Sequence, residues 1–519
     1  MKRIFYPQLF LFLFFSVALT IQGNSQGENN VQQADREEIN RLKDAIEKNP
    51  NDLQAHEAYV KAVGFTKWGA PEDPEFVAQY ESWMKKFPKS AAIAYALGHA
   101  YAGKESPKAK PFLLKAVAID PKFDKAWFDL WIDAERWGDG ELATSYLLKA
   151  KEANPENADY AFYYANSYSD TDYDKYKKLS LEVAKKYPAT ERGAQALYWL
   201  ANRTKDVGVK ISIYEQQKKD FPAAQFSWTS SGMSEYFNLL LTTDAAKALT
   251  LAEQITAEKG KDARDFKTWE RNIDLAKNIM QVKQYLKTGK ETDAAAIMEK
   301  VAVPRYGASK EFILFLKAAA ADAAGNTSDA YTSLLTAFVK EPAADVKAEL
   351  LQYGKKLGKN EAAVNKEIWY SRDTASKQAP VFNLENYFTS GLSSLNDYKG
   401  KVVLLTYWFP GCGPCRGEFP HFENVVKNFK DRKDFVYLGI NIVPEQDDYV
   451  LPFMKSTGYS FIPLKDNDKW EKGPLNNRNA APVNFLIDQD GKIIFSNFRT
   501  DGNNEATLEM MIRSMLARK

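Results

Sequence analysis

The chain has 519 residues, with 70 basic against 68 acidic side chains, so its net charge is close to zero. A chain of this length is expected to form two or more domains, each with its own hydrophobic core. The balanced charge gives no indication of a nucleic-acid partner or of binding to an anionic membrane surface. With three histidines in all, a histidine-based metal site is not expected.

The N-terminus has the pattern of a secretory signal peptide. A basic start, Met1–Arg3, precedes an apolar stretch that is densest over residues 9–19, about half the length that a membrane-spanning helix needs. The predicted signal peptide comprises residues 1–25, and the small residues near its end suit cleavage after Ser25. We therefore expect export to the periplasm or cell envelope of a bacterium, where disulfides persist. An uncleaved N-terminal anchor is the alternative.

A repeat follows a polar leader. Residues 26–36 are polar, which predicts a disordered segment, and from residue 37 the spacing of apolar residues becomes helical. Prolines preceded by Asn, Asp or an aromatic residue then recur every 33 or 34 residues, at Pro88, Pro121, Pro155, Pro188 and Pro222. This period is typical of helix-turn-helix repeats of the tetratricopeptide type. Each proline is expected to follow the end of a helix.

The repeat domain is predicted to extend well beyond the last of these prolines. Residues 223–366 keep the helical spacing without the prolines, which indicates degenerate repeats closed by a C-terminal cap. We predict an α-solenoid over residues 37–366, with a concave surface that binds a protein partner. Residues 367–378 are polar and predict a linker to the next domain.

The second predicted domain, residues 379–519, contains the only two cysteines of the chain. Residues 402–406 predict a short buried strand, which leads into Cys412-Gly-Pro-Cys415 and then into a segment with helical spacing. This order places the first sulfur near a helix N-terminus, where free N–H groups and the helix dipole favour a thiolate. Pro414 suits the first helical turn because its missing N–H costs nothing there.

Three kinds of site could use two cysteines separated by two residues. A structural zinc site needs four ligands, and His421 is the only histidine near the pair. A purely structural disulfide would close a loop too short to stabilise the fold much. A reactive dithiol–disulfide pair, which needs no cofactor or metal, is the preferred hypothesis, with the other two left open.

Residues 408–420, WFPGCGPCRGEFP, resemble the TlpA/ResA-like branch of the thioredoxin superfamily, which typically shows W-x-x-x-C-x-P-C-R-x-E-x-P. The resemblance covers residues 379–519 and implies an α/β thioredoxin fold with thiol-disulfide oxidoreductase activity. Its substrates would be protein disulfides, and an upstream electron donor in the membrane is a candidate partner. Cys412, expected at the exposed start of the helix, would attack the substrate, and Cys415, one turn further in, would resolve the mixed disulfide.

The resemblance implies further site residues. Pro482 matches the proline that opens a strand facing the cysteines, with a cis peptide bond from Ala481; an ordinary trans proline is the alternative. Thr406 occupies the position where many thioredoxins carry a buried aspartate, so Glu445, after the following strand, is the candidate proton acceptor. Trp408 is expected to shield the disulfide, together with Pro414.

The predicted function is an exported protein-disulfide reductase whose helical repeats bind substrate or partner proteins. A repeat-type scaffold protein of the cell envelope with an accessory redox domain is the alternative. A peroxiredoxin-like peroxidase is disfavoured, because Phe409 occupies the position of the threonine that such enzymes carry three residues before their cysteine. Arg416 and Glu418 are expected to be solvated helix charges rather than catalysts.

Overall fold

The structure, a computed structural model, describes residues 25–66, 72–304, 307–467, 475–478 and 480–518. The predicted signal peptide lies outside the described residues except for Ser25. Within these ranges, no helix is both long enough and apolar enough to cross a membrane. A helical N-terminal part precedes a C-terminal α/β domain, so the predicted order of an α-solenoid followed by an α/β fold is confirmed.

The described N-terminal part consists of helices joined by turns, and we call residues 25–375 the array. In chain order the helices are α1 (Ser25–Lys48), α2 (Leu53–Val63), α3 (Pro74–Lys86), α4 (Ala91–Gly103), α5 (Ala109–Ile119), α6 (Asp124–Arg136), α7 (Gly140–Ala153), α8 (Ala158–Asn166), α9 (Tyr173–Lys186), α10 (Glu191–Arg203), α11 (Val207–Asp220), α12 (Ser227–Thr243), α13 (Ala245–Lys259), α14 (Phe266–Lys287), α15 (Glu291–Lys300), α16 (Lys310–Ala323), α17 (Thr327–Lys340), α18 (Ala344–Lys356) and α19 (Glu361–Ala375).

The recurring prolines mark helix ends as predicted. Helices α3, α5, α7, α9 and α11 each end two residues before one of the five prolines. The following helix then begins at a capping side chain: Ser90, Asn157 and Thr190 accept backbone N–H groups in the first turns of α4, α8 and α10. Residues 223–366 continue as helices, in agreement with the predicted degenerate repeats.

Small residues let neighbouring helices of the array approach closely. A Cβ atom on Gly98 of α4 would lie 2.9 Å from the side chain of Leu113 on α5, so a larger residue would force the two helices apart. Ala126 of α6 and Ala143 of α7 are both completely buried. The array core therefore depends on pairs of helices in close contact. A single pair cannot bury its apolar face, so each pair packs against its neighbours.

The structure differs from the prediction of a disordered leader over residues 26–36. These residues belong to α1, which continues without a break to Lys48. Leu42 and Ile46, further along α1, are buried in the array core. Once that part is helical, each added residue gains a backbone hydrogen bond without a new nucleation cost. Polar composition does not separate a disordered leader from the polar extension of a packed helix.

The structure also differs from the predicted linker over residues 367–378. Helix α19 runs through most of this segment, and Arg372, one of its polar residues, is 4% exposed. Only Ser376 separates α19 from the next strand, which begins at Lys377. The polar sequence misled the prediction because an arginine with a long aliphatic stem can form the buried face of a helix.

The C-terminal domain contains the strands β1 (Lys377–Gln378), β2 (Asn383–Asn386), β3 (Leu392–Ser394), β4 (Val402–Trp408), β5 (Phe435–Asn441), β6 (Ile462–Lys465), β7 (Val483–Ile487) and β8 (Lys492–Ser496), and the helices α20 (Gly413–Val426), α21 (Asp447–Thr457) and α22 (Glu505–Leu516). Short 3-10 helices cover Leu395–Tyr398, Lys427–Phe429 and Pro444–Gln446.

The described strands form one sheet in the order β1-β8-β7-β4-β5-β6-β2-β3. Strands β4, β5 and β6 are parallel, whereas β7 pairs antiparallel with β4. All residues of β4 are buried, because both faces of the sheet are covered. Leu404 packs in the core that contains α20 and α22, and Leu405 packs in the core on the opposite face. The central strand therefore leads into α20 from fully packed surroundings.

Within the described residues, the array contacts the C-terminal domain at two separate places. At its end, Trp369 and Arg372 of α19 pack against Phe495 of β8. Much earlier in the chain, the end of α6 and the turn after it contact α21, where the ring of Trp137 meets the ring of Tyr449 edge-on at 5.2 Å. The second contact brings the array close to the loop between β4 and α20.

Arg372 holds the first of these contacts by packing rather than by ion pairing. Its guanidinium lies 4.7 Å from the centre of the Phe495 ring, 5.1 Å from that of Trp369 and 5.4 Å from that of Phe338. Burial, together with the charge of Arg518, lowers the pKa of Arg372 to about 10. The desolvated charge is thus offset mainly by aromatic faces.

We expect Arg372→Ala to lower the free energy of unfolding of the C-terminal domain by about 2–4 kcal/mol, since it removes a side chain packed among three rings. Arg372→Met should cost about half as much or less, because a straight apolar side chain fills much of the same space with no charge to desolvate. Urea denaturation followed by tryptophan fluorescence measures both values. Equal losses in the two variants would show that the charge, not the packing, stabilises this contact.

Candidate active site

The two cysteines lie where the central strand of the sheet passes into α20. Cys412 is the N-cap residue of this helix, and its Sγ accepts the backbone N–H of Cys415 at 3.2 Å. Pro414 occupies the first helical turn, as expected, where no N–H is needed. Cys412 and Cys415 are joined as a disulfide. The first sulfur therefore lies against the free N–H groups and the positive end of the helix dipole.

Neither sulfur-bearing side chain is open to solvent in this arrangement. Cys412 is 2% exposed and Cys415 is completely buried. This differs from the expectation that Cys412 lies at an exposed helix start. Trp408 is also completely buried and packs among Phe419, Phe453 and Phe461 in the core that includes both cysteines. Trp408 and the disulfide therefore belong to the same packed core.

Pro482 opens β7, which lies directly beside β4 in the sheet. The peptide bond from Ala481 to Pro482 is cis, and the register pairs Val483 with Tyr407, next to the end of β4. The carbonyl oxygen of Pro482 accepts a hydrogen bond from Arg499 Nη1 at 2.8 Å. The sheet thus places Pro482 at the same edge as the loop that carries Cys412.

Glu418 is buried, contrary to the expectation of a solvated helix charge. It is 3% exposed, and Oε1 accepts the backbone N–H of Thr500 at 2.8 Å, while both carboxylate oxygens lie within 3.2 Å of Asn484 Nδ2. Arg499 Nε approaches Oε1 at 3.2 Å. Burial raises the pKa of Glu418, although Arg499 and these hydrogen bonds oppose the shift. The carboxyl group is one helical turn from Cys415.

A buried carboxyl group is therefore present on α20, and not at Thr406, the strand position that the resemblance to thioredoxins singled out. Thr406 of β4 is completely buried, and the sheet register pairs it with Asn484, whose amide bonds Glu418. The glutamate reaches this region from α20 instead of from β4. The spacing of three residues after Cys415 was the available signal, because it places Glu418 on the helix face that points towards the sheet.

The candidate proton acceptor Glu445 is exposed on the short 3-10 helix after β5. The neighbouring residue, Gln446, is completely buried and contacts the site instead: its Oε1 accepts the backbone N–H of Gly411 at 2.5 Å. Its Nε2 donates to Glu105 Oε2 of the array at 2.6 Å. Sequence reasoning missed Gln446, because its role depends on a residue more than 300 positions away.

Arg416 likewise differs from the expected solvated charge. Its Nη1 donates to the carbonyl oxygen of Pro410 at 3.0 Å, and its Nη2 lies 2.9 Å from Glu135 Oε2 at the end of α6. One nitrogen thus closes the loop before Cys412, and the other joins this loop to the array.

The zinc alternative finds no set of ligands around the cysteines. Among the residues that the structure describes, no group of three or more His, Cys, Asp or Glu side chains is arranged to hold a metal ion. His421 Nδ1 lies 2.6 Å from Glu505 Oε1 and so pairs with α22.

Comparison with known proteins gives matches to the C-terminal domain. The Redoxin family matches residues 374–512. The thiol-disulfide oxidoreductase ResA of Bacillus subtilis (strain 168) is 36% identical over 126 residues, which cover 22% of this chain and 63% of ResA. The thioredoxin-like protein YneN of the same organism is 32% identical over 119 residues, which cover 22% of this chain and 67% of YneN. The chain thus spans about two thirds of the length of these relatives.

A solved structure is also similar to part of the chain. The solution structure of a thiol:disulfide interchange protein from Bacteroides sp. is 27% identical, with a TM-score of 0.24, and the match covers 27% of this chain and 90% of that protein.

The raised pKa of Glu418 predicts a pH dependence of stability. Between its ordinary pKa and its folded-state pKa, the folded chain holds a proton that the unfolded chain has lost, so stability should fall as pH rises through this range. Glu418→Gln mimics the protonated side chain. We expect the variant to gain stability relative to wild type, on the order of 1 kcal/mol, as the pH rises above the ordinary pKa of a glutamate, measured by urea denaturation.

Glu505→Gln is the matched control on the neighbouring helix. Burial would raise the pKa of Glu505, but hydrogen bonds from Asn424 and His421 outweigh it and lower this pKa. The control variant should therefore lose stability relative to wild type as pH rises, the opposite sign. A Glu418→Gln difference that does not change with pH would contradict a buried, proton-holding carboxyl group.

Proposed function

Because this chain belongs to the thioredoxin-like proteins through its C-terminal domain, we propose that it is a thiol-disulfide oxidoreductase that reduces protein disulfides. The observation that carries the proposal is the pair Cys412 and Cys415 in the first turn of α20, with the Sγ of Cys412 accepting a helix N–H. A negative charge on that sulfur is favoured by the N–H and by the helix dipole, so Cys412 is the nucleophile of the reduced pair.

The reaction proceeds by two thiol–disulfide exchanges. The Cys412 thiolate attacks one sulfur of the substrate disulfide, forms a mixed disulfide and expels the other substrate sulfur as a thiolate, which takes up a proton. The Cys415 thiol then loses its proton, and the thiolate attacks Cys412 Sγ and expels the second substrate sulfur. The substrate gains two electrons and two protons in all. The chain is left with the Cys412–Cys415 disulfide, which a dithiol donor must reduce before the next cycle.

Glu418 is the group best placed to accept the proton of Cys415. It lies one turn further along the same helix, it is buried, and its raised pKa lets it bind and release a proton closer to neutral pH than an exposed carboxylate. Arg499 joins this carboxyl group to the carbonyl oxygen of Pro482. In this proposal Glu418 replaces Glu445, the candidate that the sequence suggested.

The proposal also covers the location of the protein, its electron donor and the role of the array. We place the chain in the periplasm or cell envelope, on the pattern of residues 1–25, with an electron donor in the membrane as the source of reducing equivalents. The array would bind the protein substrate or a partner protein, and tetratricopeptide-type repeats suit this role because stacked helix pairs form an extended surface.

Substitution of each cysteine separates the two exchange steps. Cys412→Ser should abolish reduction of a protein disulfide such as that of insulin, since no nucleophile remains to form the mixed disulfide. Cys415→Ser should instead accumulate a mixed disulfide, because the resolving thiol is missing. Turbidity of released insulin chains measures the first effect, and non-reducing electrophoresis measures the second.

The scaffold alternative makes the opposite prediction. If the redox domain is only an accessory of a binding protein, Cys412→Ser leaves the cellular role of the chain intact. Disulfide reduction that persists in Cys412→Ser would contradict the proposed mechanism outright.

A further inference from the structure

The array lies against the redox site through a defined set of contacts, which we call the seam. On the array side it comprises Glu105, Asp133, Glu135 and the turn at Trp137 and Gly138. Tyr449 of α21 donates its hydroxyl hydrogen to Asp133 Oδ1 at 2.7 Å, and Ser456 donates to the carbonyl oxygen of Gly138 at 3.1 Å. A Cβ on Gly138 would lie 2.8 Å from the side chain of Thr457 and 3.4 Å from the carbonyl oxygen of Phe453, so this turn packs directly against α21.

Two carboxylates of the seam reach the loop that carries Cys412. Glu105 accepts a hydrogen bond from Gln446, whose other amide atom accepts the N–H of Gly411, the residue just before Cys412. Glu135 pairs with Arg416, one turn after Cys412. The loop is therefore tied to the array on both sides of the nucleophile.

The backbone of Glu105 supports a role for its carboxylate. Its φ angle is +55°, in the left-handed region that glycine adopts without strain and other residues adopt at a cost of about 1 kcal/mol or more. Arg136 Nη2 lies 3.3 Å from Oε1, and Gln446 holds Oε2. A glycine would suit the turn better, so the side chain contributes through its contacts with the redox domain.

From these contacts we infer that the array forms one wall of the redox site, with Glu105 and Glu135 as positioning residues that hold the loop and exclude protein substrates until the seam opens. The near-complete burial of Cys412 agrees with this arrangement. A small thiol or disulfide needs a narrow opening, whereas a folded protein must displace the array. The inference rests on the proposed function, since it concerns the access of a protein disulfide to Cys412.

Alkylation of Cys412 tests the inference without any turnover. In a Cys415→Ser background only one thiol remains, and it is labelled either with iodoacetamide or with a maleimide attached to a globular carrier protein. Glu135→Arg places a cation opposite Arg416 and near Arg136, which should open the seam. We expect the rate of carrier labelling to rise about tenfold. A fully buried ion pair would give a larger effect, but Arg416 and Glu135 are partly exposed. The iodoacetamide rate should change much less.

Two matched variants isolate the interaction. Glu135→Arg combined with Arg416→Glu restores opposite charges across the seam and should slow carrier labelling relative to Glu135→Arg alone, even though the hydrogen bond from Arg416 to Pro410 is lost. Glu47→Arg reverses the charge of an array residue whose partners, Lys86 and Trp83, also belong to the array, and it should leave both labelling rates unchanged. Rescue by the swapped pair would not be seen if Glu135→Arg acted only by disturbing the fold of α6.

Glu105→Gly is the second test, because glycine relieves the left-handed backbone while it removes the carboxylate. We expect faster carrier labelling with no loss of helical content by circular dichroism. Equal carrier rates in wild type, Glu135→Arg and Glu105→Gly would overturn the inference even if the chain reduces disulfides. A chain whose seam responds as expected but which reduces no disulfide would instead overturn the proposed function.

Discussion

The hydrogen bond from the Cys415 N–H to the Sγ of Cys412 depends on the whole C-terminal fold. It requires a helix that begins at Cys412, and that helix is fixed because the strand before it is buried on both faces at the centre of the sheet. The same first turn aligns the helix dipole with the sulfur. Trp408 below and Glu418 one turn further along are held by the same strand and helix.

Features that arise from local patterns could be predicted from the sequence. The five prolines predicted helix ends, and a buried strand followed by two cysteines and a helical segment predicted the redox loop. Each of these features depends only on residues that are close together in the sequence. The polar segments 26–36 and 367–378 were misjudged for the opposite reason. Residues 26–36 extend a helix that is packed further along, and residues 367–378 include Arg372, whose burial no local pattern reveals.

The surroundings of the site could not be predicted, because they depend on residues distant in the chain. Glu418 looks like any surface glutamate until Asn484 and Thr500 are found against it. Gln446 and Arg416 contact Glu105 and Glu135, which belong to a different domain, and their roles follow from these contacts. No periodicity records such contacts, so single-sequence reasoning assigned these charges to solvent.

The array contacts the redox domain at the end of α6 and at α19, so the helices between them form a span that is fixed at both ends. One end of this span is α19, which is joined to the sheet by Ser376 and packs on Phe495. The other is the end of α6 against Tyr449. Stacked helix pairs bend by small rotations shared among many neighbours. A shift at one end therefore requires a change of curvature along the whole span, which couples the position of the loop before Cys412 to helices that this loop does not contact.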